Sequence, residues 1–508
     1  MDLDFLHFDA TFEKAISSTG FGRFHFSLLA VCGLIYLDTA LEITILSFVL
    51  PAAKCDFNMS SSDQGYLTAA PMLGMVLGSY FWGCLADLWG RKLVLIASLL
   101  MDGICGMASS ISPWYPLFFC FRFLSGFGIT GAMGIVFAYL GEFQPTKYRE
   151  KILSWMELFW TAGVILLPLT AWAIIPLRLR YESTFLRVDS WNVFVAVCSV
   201  PSLLLALWLS RFPESPKYLL EVEEYDKSLE VLRCMYSTNT GQPPDNYPII
   251  SLKEKKRGLS VVSIQSNRSV KCVKDLKCLL SDVWEMTKIL CRPPYRKSTL
   301  LTCLIQFGLT SGYYTFMMWF PELFHRFQRF EAQHPGQPTS ICQVSSVLLD
   351  DQGPCDPTID TSVYLNTVII GLSCVPTSFW LPLCVRRLGT KFFLVFCLMV
   401  PGVVALGLYF VQNSWQNLVL SCVFEALTSV GISTVYCTLV DLFPTNLRVM
   451  AAALSLTFGR SGALFGNLIF GYLIDLNCFV PIVTFSVFLL GSGFLCLFLP
   501  NTGREELN

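Results

Sequence analysis

The sequence is poor in charge. Of its 508 residues 14% are Asp, Glu, Lys or Arg, where soluble domains carry roughly 25%. Hydrophobic residues make up 54% and mean hydropathy is +0.55. That balance excludes a wholly soluble globule and points to the bilayer. Positive charge is not in surplus either, with 36 Lys and Arg against 37 Asp and Glu. A nucleic-acid partner is excluded on that ground, because phosphate binding draws on excess cation. Histidine is scarce: His7, His25, His325 and His334 are the four, none in a metal-ligand spacing. Neither a nucleotide loop of the form G-x-x-x-x-G-K-[ST] nor a G-x-S-x-G elbow occurs. The expectation is therefore a protein that is not an enzyme, holds no metal or cofactor and is not driven by a nucleotide. Cysteine is not scarce, but most of the 20 lie inside apolar runs, as Cys397, Cys422 and Cys496 do. They read as packing residues and not as a disulfide framework.

What is present is a set of apolar runs of about 20 residues, the length that crosses a hydrocarbon core of about 30 Å. Twelve are legible: 27–50, 66–86, 93–111, 116–140, 152–175 and 191–210, then 299–320, 362–384, 392–411, 415–440, 449–474 and 479–499. The fold class is thus an all-α integral membrane protein with twelve transmembrane helices. Residues 1–26, without a secretory signal pattern, form an N-terminal cytosolic segment, and 27–210 a first six-helix bundle. A central cytosolic segment with short helices, 211–298, leads to a second bundle, 299–499, and a cytosolic tail, 500–508. With that topology the inner segments hold 28 Lys and Arg and the outer loops 6, which places both termini in the cytosol. The outer loops carry the sequon Asn58-Met59-Ser60, close to the first span, and Cys342 and Cys355, for which a disulfide and two free thiols are both open readings. Periodic Leu and Val over Glu221 to Tyr236 predict a short amphipathic helix. The basic run Lys253 to Arg257 reads as a solvated cluster or a lipid-surface contact.

Two loops recur at one spacing. Aligning Gly90 with Gly389 also aligns Lys92 with Lys391, and Glu142-Phe143-Gln144-Pro145-Thr146 through Arg149 aligns with Asp441-Leu442-Phe443-Pro444-Thr445 through Arg448, both at an offset of 299. Two loops at one offset indicate a duplicated six-helix unit. The stretch Gly83-Cys84-Leu85-Ala86-Asp87-Leu88-Trp89-Gly90-Arg91-Lys92 resembles the signature loop of the major facilitator superfamily, and Pro213-Glu214-Ser215-Pro216-Lys217 resembles an element of its sugar porters and organic-ion transporters. Gly20-Phe21-Gly22-Arg23, Phe48-Val49-Leu50-Pro51, Ala171 to Pro176, Ser190-Trp191 and Tyr313-Tyr314 are similar to the synaptic vesicle glycoprotein two group. The resemblance departs where that group has a large luminal domain, since only Pro321 to Thr361 fills that gap here.

Seven ionisable residues fall inside the spans: Asp38, Glu42, Asp102, Arg122, Glu157, Glu425 and Arg460. Facing lipid, each would cost at least about 2.5 kcal/mol, so they are expected to face the bundle interior. The resemblance implies a proton-coupling pair of Asp38 with Arg122, with Glu42 one helical turn beyond Asp38. Arg460 resembles a cavity Arg of organic-ion transporters and favours an anionic solute. Glu157 and Glu425, with the rings of Trp160, Tyr313 and Tyr314, favour a cation, and both signs stay open. The sugar-porter pattern Gln-Gln-x-x-Gly-x-Asn is absent near Gln306, which counts against a simple hexose. By the same resemblance Asp87, Gly90, Arg91, Lys92, Glu142 and Arg149, with Asp441 and Arg448, form a cytosolic gate whose ion pairs exist in one state only. The reading is a secondary carrier of a small polar or charged organic solute, proton-coupled, in the plasma membrane or a vesicle membrane. Its alternative is a vesicle protein of the same fold acting as a scaffold.

Overall fold

The structure is a computed structural model and describes residues 8–177, 179–182, 187–252, 284–334, 344, 358–443 and 445–500. The loop cysteines Cys342 and Cys355, the basic run from Lys253 and His7 lie outside the described residues.

Six long helices form the first half: α1 (Arg23–Ala53, interrupted at Ile45), α2 (Ser61–Trp89), α3 (Arg91–Ser110), α4 (Tyr115–Glu142), α5 (Thr146–Ile174) and α6 (Ser190–Leu209). Six more form the second: α7 (Arg296–Gln333), α8 (Thr361–Leu388), α9 (Thr390–Gly407), α10 (Ser414–Leu442), α11 (Thr445–Leu473) and α12 (Phe479–Cys496). Ten candidate spans are long and apolar enough to cross a membrane by composition; α7 and α11 are not among them. Their polarity has a structural reason. Both line the interior, where Gln306, Thr310, Ser455, Arg460 and Asn467 are buried. The helices also outrun the apolar windows, α7 most of all, because a helix continues while its backbone bonds are satisfied, whatever the surrounding medium.

The duplication is visible in the backbone. Helices α5 and α11 run Thr146–Ile174 and Thr445–Leu473, and α3 and α9 begin at Arg91 and Thr390. Gly90 (φ 98°) and Gly389 (φ 81°) each join two abutting helices through the left-handed region, where a Cβ is strained. The halves meet along α2 and α11, where a Cβ at Gly65 would lie 2.8 Å from the Gly471 Cα. Two glycines let the backbones approach closely, as small residues do in membrane helix packing.

Small elements stand outside the bundles. Strand β1 (Phe8–Ala10) pairs in parallel with β4 (Ile249–Leu252), and β2 (Arg180–Glu182) pairs antiparallel with β3 (Arg187–Asp189). The helix expected over Glu221 to Tyr236 runs Tyr225–Thr240, shifted four residues on and preceded by a separate short helix, Pro216–Glu221. Glu223 at φ 65° breaks the run, a conformation no helix tolerates. The central segment is docked on the N-terminal one. The Asn239 side chain donates to Thr19 O and Gly20 O and accepts from Phe24 N–H, and Tyr247 Oη donates to Ala15 O at 2.6 Å. This assembly marks the N-terminal face. At the opposite face Cys55 and Cys478 are each disulfide-bonded, so not every cysteine serves packing alone. The other described cysteines with assigned state are free.

Candidate functional site: a buried charge cluster beside a central cavity

Four of the seven ionisable span residues converge inside the first half. Arg122 on α4 forms an ion pair with Glu42 on α1, Nη1 to Oε2 at 3.1 Å, and its Nη2 donates to Ser109 Oγ at 2.6 Å. The other Glu42 oxygen accepts from Ser199 Oγ at 2.8 Å. This corrects the expected pair: the partner of Arg122 is Glu42, not Asp38. The four-residue step from Asp38 moves one turn along the same helix face, and that turn is the one level with Arg122. Asp38 is held instead by Ser202 of α6, whose Oγ lies 2.6 Å from Oδ2 and also 3.1 Å from Asp102 Oδ2. Asp102 accepts a further bond from Ser125 Oγ at 2.7 Å. All four ionisable side chains are buried, and Asp38 Oδ1 has no hydrogen-bond partner.

Between the halves lies a central cavity lined by Tyr36, Glu157 and Trp160 of the first half and by Gln306, Tyr313, Tyr314, Tyr436 and Arg460 of the second, among others. Trp160 Nε1 donates to Tyr313 Oη at 3.3 Å, closing one wall. Arg460 donates to Ser79 Oγ at 2.5 Å and reaches Met133 Sδ at 3.8 Å. Among the described residues no carboxylate lies within 4 Å of it. Glu425, expected in the same cavity, lines a neighbouring one with Thr44, Ser47, Met317 and Phe320. The central cavity takes Ser429, Ile432 and Tyr436 from α10, and Glu425 lies a turn before Ser429, which carries it toward the opposite face.

At the N-terminal face Arg91 is a hub. It reaches Asp87 Oδ1 at 2.8 Å, Glu142 Oε1 at 3.5 Å and Glu221 Oε2 at 3.8 Å, and stacks over the Tyr218 ring. Burial pushes the Glu221 carboxyl up against the opposing pull of Arg91 and Lys217. Glu214 accepts from Lys92 N–H at 3.0 Å, and Ser215 Oγ donates to Glu142 Oε2 at 2.5 Å. A Cβ at Gly90 would collide with the Glu214 carboxylate. Arg149 donates to the carbonyls of Gly141 and Gln144, closing the end of α4, and contacts no acid at ion-pair distance among the described residues. Asp441 and Arg448 fall on α10 and α11, their side chains outside those described.

A family model for sugar (and other) transporters matches residues 29–332. The chain belongs to this family, within the major facilitator superfamily. Synaptic vesicle glycoprotein 2C of Mus musculus is 27% identical, covering 98% of this chain and 81% of its own length. Synaptic vesicle glycoprotein 2B of Homo sapiens is 27% identical, with 98% and 86% covered. Among solved structures, the xylose transporter XylE from E. coli in a partially occluded inward-open conformation aligns with a TM-score of 0.66 at 18% identity, covering 95% of this chain and 99% of that one. Its inward-open conformation aligns at 0.67, covering 95% and 98%. The fold is that of these transporters.

In this transporter the opposite face is sealed. Residues 46–53 of α1 and 308–327 of α7 are buried without interruption. A network that sequence reading missed ties the halves there: Arg326 donates to Glu322 at 2.9 Å, Asp475 at 3.0 Å and Ser61 Oγ at 2.8 Å, and Lys54 lies 3.8 Å from Glu322. Also missed were Ser199 and Ser202, Glu214 and Glu221. The serines sit in an apolar run with only their three-residue spacing to mark them, which places both on one face of α6.

Proposed function

We propose that this chain is a proton-coupled carrier of a small organic solute bearing an anionic group, working by alternating access between its two halves. The observation that carries the reading is Arg460, a buried guanidinium at the wall of the central cavity with no carboxylate in ion-pair reach among the described residues. A buried charge without a partner is costly, and a solute carboxylate would supply the partner in the fork geometry Arg favours. The rings of Tyr36, Trp160, Tyr313 and Tyr314 supply apolar walls, and Glu157 a site for a cationic group on the same solute. Proton coupling is supported by the three carboxylates clustered around Arg122.

The N-terminal face is cytosolic in this reading. The Lys and Arg bias supports it, as does the placing of the disulfide-bonded Cys55 and Cys478 at the opposite face while exposed Cys234 and Cys291 are free, since disulfides persist in oxidising compartments. The membrane is the plasma membrane or a vesicle membrane. The similarity to synaptic vesicle glycoproteins over nearly the whole chain supports a second reading, a vesicle protein that binds partners without transport.

The deciding experiment is a thermal-shift screen of the purified protein against aromatic carboxylates, amino acids and quaternary amines, because a ligand of the folded state raises its melting temperature. Anionic or zwitterionic compounds should stabilise the wild type and not Arg460→Ala. Stabilisation by quaternary amines alone would sink the anion assignment, and none by any compound would favour the second reading.

A further inference from the structure

The hydrogen bonds around Ser202 do not close with all carboxylates ionised. A serine hydroxyl owns one hydrogen, yet Ser202 Oγ stands 2.6 Å from Asp38 Oδ2 and 3.1 Å from Asp102 Oδ2. It can donate to one of them; the other contact needs a hydrogen from the aspartyl oxygen itself. Ser125 does not relieve the shortage, because its hydroxyl is committed to the other oxygen of Asp102. Asp38 Oδ1 is buried and meets no donor, as suits the carbonyl oxygen of a neutral acid better than half of a carboxylate. The charges agree. Asp38 and Glu42 on α1, Asp102 on α3 and Arg122 on α4 face one another, with the thiols of Cys105 on α3 and Cys198 on α6 alongside, so three acids meet one permanent cation. Glu42 has both oxygens satisfied, by Arg122 and by Ser199.

We infer that Asp38 and Asp102 hold one proton between them through Ser202, making an α1–α6–α3 bridge the proton-binding site, while Glu42 serves as the standing counter-ion of Arg122. The inference deepens the proton-coupled reading and rests on it. The proton belongs to the pair and not to either residue, as for any two acids this strongly linked. Because the bridge joins three helices, its loss on deprotonation leaves two aspartates repelling across Ser202. That repulsion gives the proton a mechanical consequence within the first half.

The test is infrared difference spectroscopy of the full chain in lipid nanodiscs between stepped pH values, in a Glu157→Gln/Glu425→Gln background that removes the two span acids outside the cluster. One carboxylic-acid band should fade as pH rises. It should be lost in Asp38→Asn and in Asp102→Asn, be shifted in frequency and midpoint in Ser202→Ala, and survive in Glu42→Gln. Survival in Asp102→Asn, or loss in Glu42→Gln with survival in Asp38→Asn, overturns the assignment. Bleaching of the band by sodium at fixed pH overturns it too, in favour of a metal-cation site. Should Asp102→Asn fail to fold, an unchanged band in Ser202→Ala overturns the inference equally. Acid-driven proton flux into liposomes separates this from the broader reading. An intact band without flux sinks the coupling and leaves the bridge, whereas flux and band both persisting in Asp102→Asn sink the bridge and leave the coupling.

Discussion

Among the described residues two polar side-chain contacts, Arg326 to Ser61 and Lys54 to Glu322, cross between the halves at the face opposite the termini, so their share in the seal can be worked out. Arg326 bonds Glu322 and Asp475 within the second half, and those contacts travel with it when the halves separate. Its bond to Ser61 Oγ, 2.8 Å long with both residues buried, crosses between the halves and must break when they part. A hydrogen bond to a charged group contributes about 1.5–3 kcal/mol. A second crossing contact, Lys54 to Glu322 at 3.8 Å, has a lysine side chain 37% exposed and is worth at most about 1 kcal/mol. Ser61→Ala should therefore move the equilibrium toward the form open at this face by on the order of 10- to 100-fold, at about 1.4 kcal/mol per tenfold. Lys54→Ala should move it several-fold at most. Helix propensity does not confuse the result, since Ala is the better helix former. The assay is pulsed electron resonance between spin labels at Ser60 and Asn477, with Cys55, Cys342, Cys355 and Cys478 replaced by Ser in every variant so that no disulfide holds this face closed, and exposed Cys120, Cys234 and Cys291 replaced likewise. A longer-distance population should appear in Ser61→Ala. An unchanged distance distribution in that variant, or a larger effect from Lys54→Ala, would refute the reasoning.

Three further outcomes are expected. Gly90→Ala should lower the melting temperature more than Gly389→Ala: both meet a positive φ, costing on the order of 1–3 kcal/mol, but only at Gly90 does the new Cβ displace the Glu214 carboxylate from Lys92 N–H, while the space at Gly389 is open; equal losses would show that the Glu214 contact contributes nothing. Glu13 accepts from Thr146 N–H and Oγ at 2.7 and 2.6 Å, and although burial pushes its carboxyl up, these bonds and the charge of Arg149 hold it below the ordinary 4.5. Its contribution, under about 1 kcal/mol for so exposed a group, is then fully present above the unfolded value and lost as pH falls through the lower folded one, so amide exchange over 12–18 should quicken only in that acid window and be fast at neutral pH in Glu13→Gln. Finally, a membrane-impermeant maleimide should label Cys234 in inside-out vesicles and not in sealed right-side-out ones, and the reverse pattern would invert the topology.

Much of the fold was legible because its cause is local. A bilayer demands about 20 apolar residues per helix whatever the neighbours, and the offset of 299 in two loops already implied the duplicated halves that Gly90 and Gly389 display. Helices α7 and α11 were found as long runs despite the polar residues they carry inward. The candidate site was legible only as a roster. A charge within an apolar span must face inward, which singled out Asp38, Glu42, Asp102 and Arg122.

Their partnership was decided by tertiary structure, because a pair is set by the height at which two helices cross, and helix pitch alone does not fix that. One turn of α1 separates the acid that meets Arg122 from the one that meets Ser202, and one turn of α10 separates Glu425 from the central cavity. The latch of Arg326, Ser61 and Asp475 joins residues hundreds of positions apart, beyond any periodicity. The sequence by itself determined where charge was too expensive to be accidental; the packing of α1, α3, α4 and α6 decided which of those charges neutralise one another and which are left to bind something else.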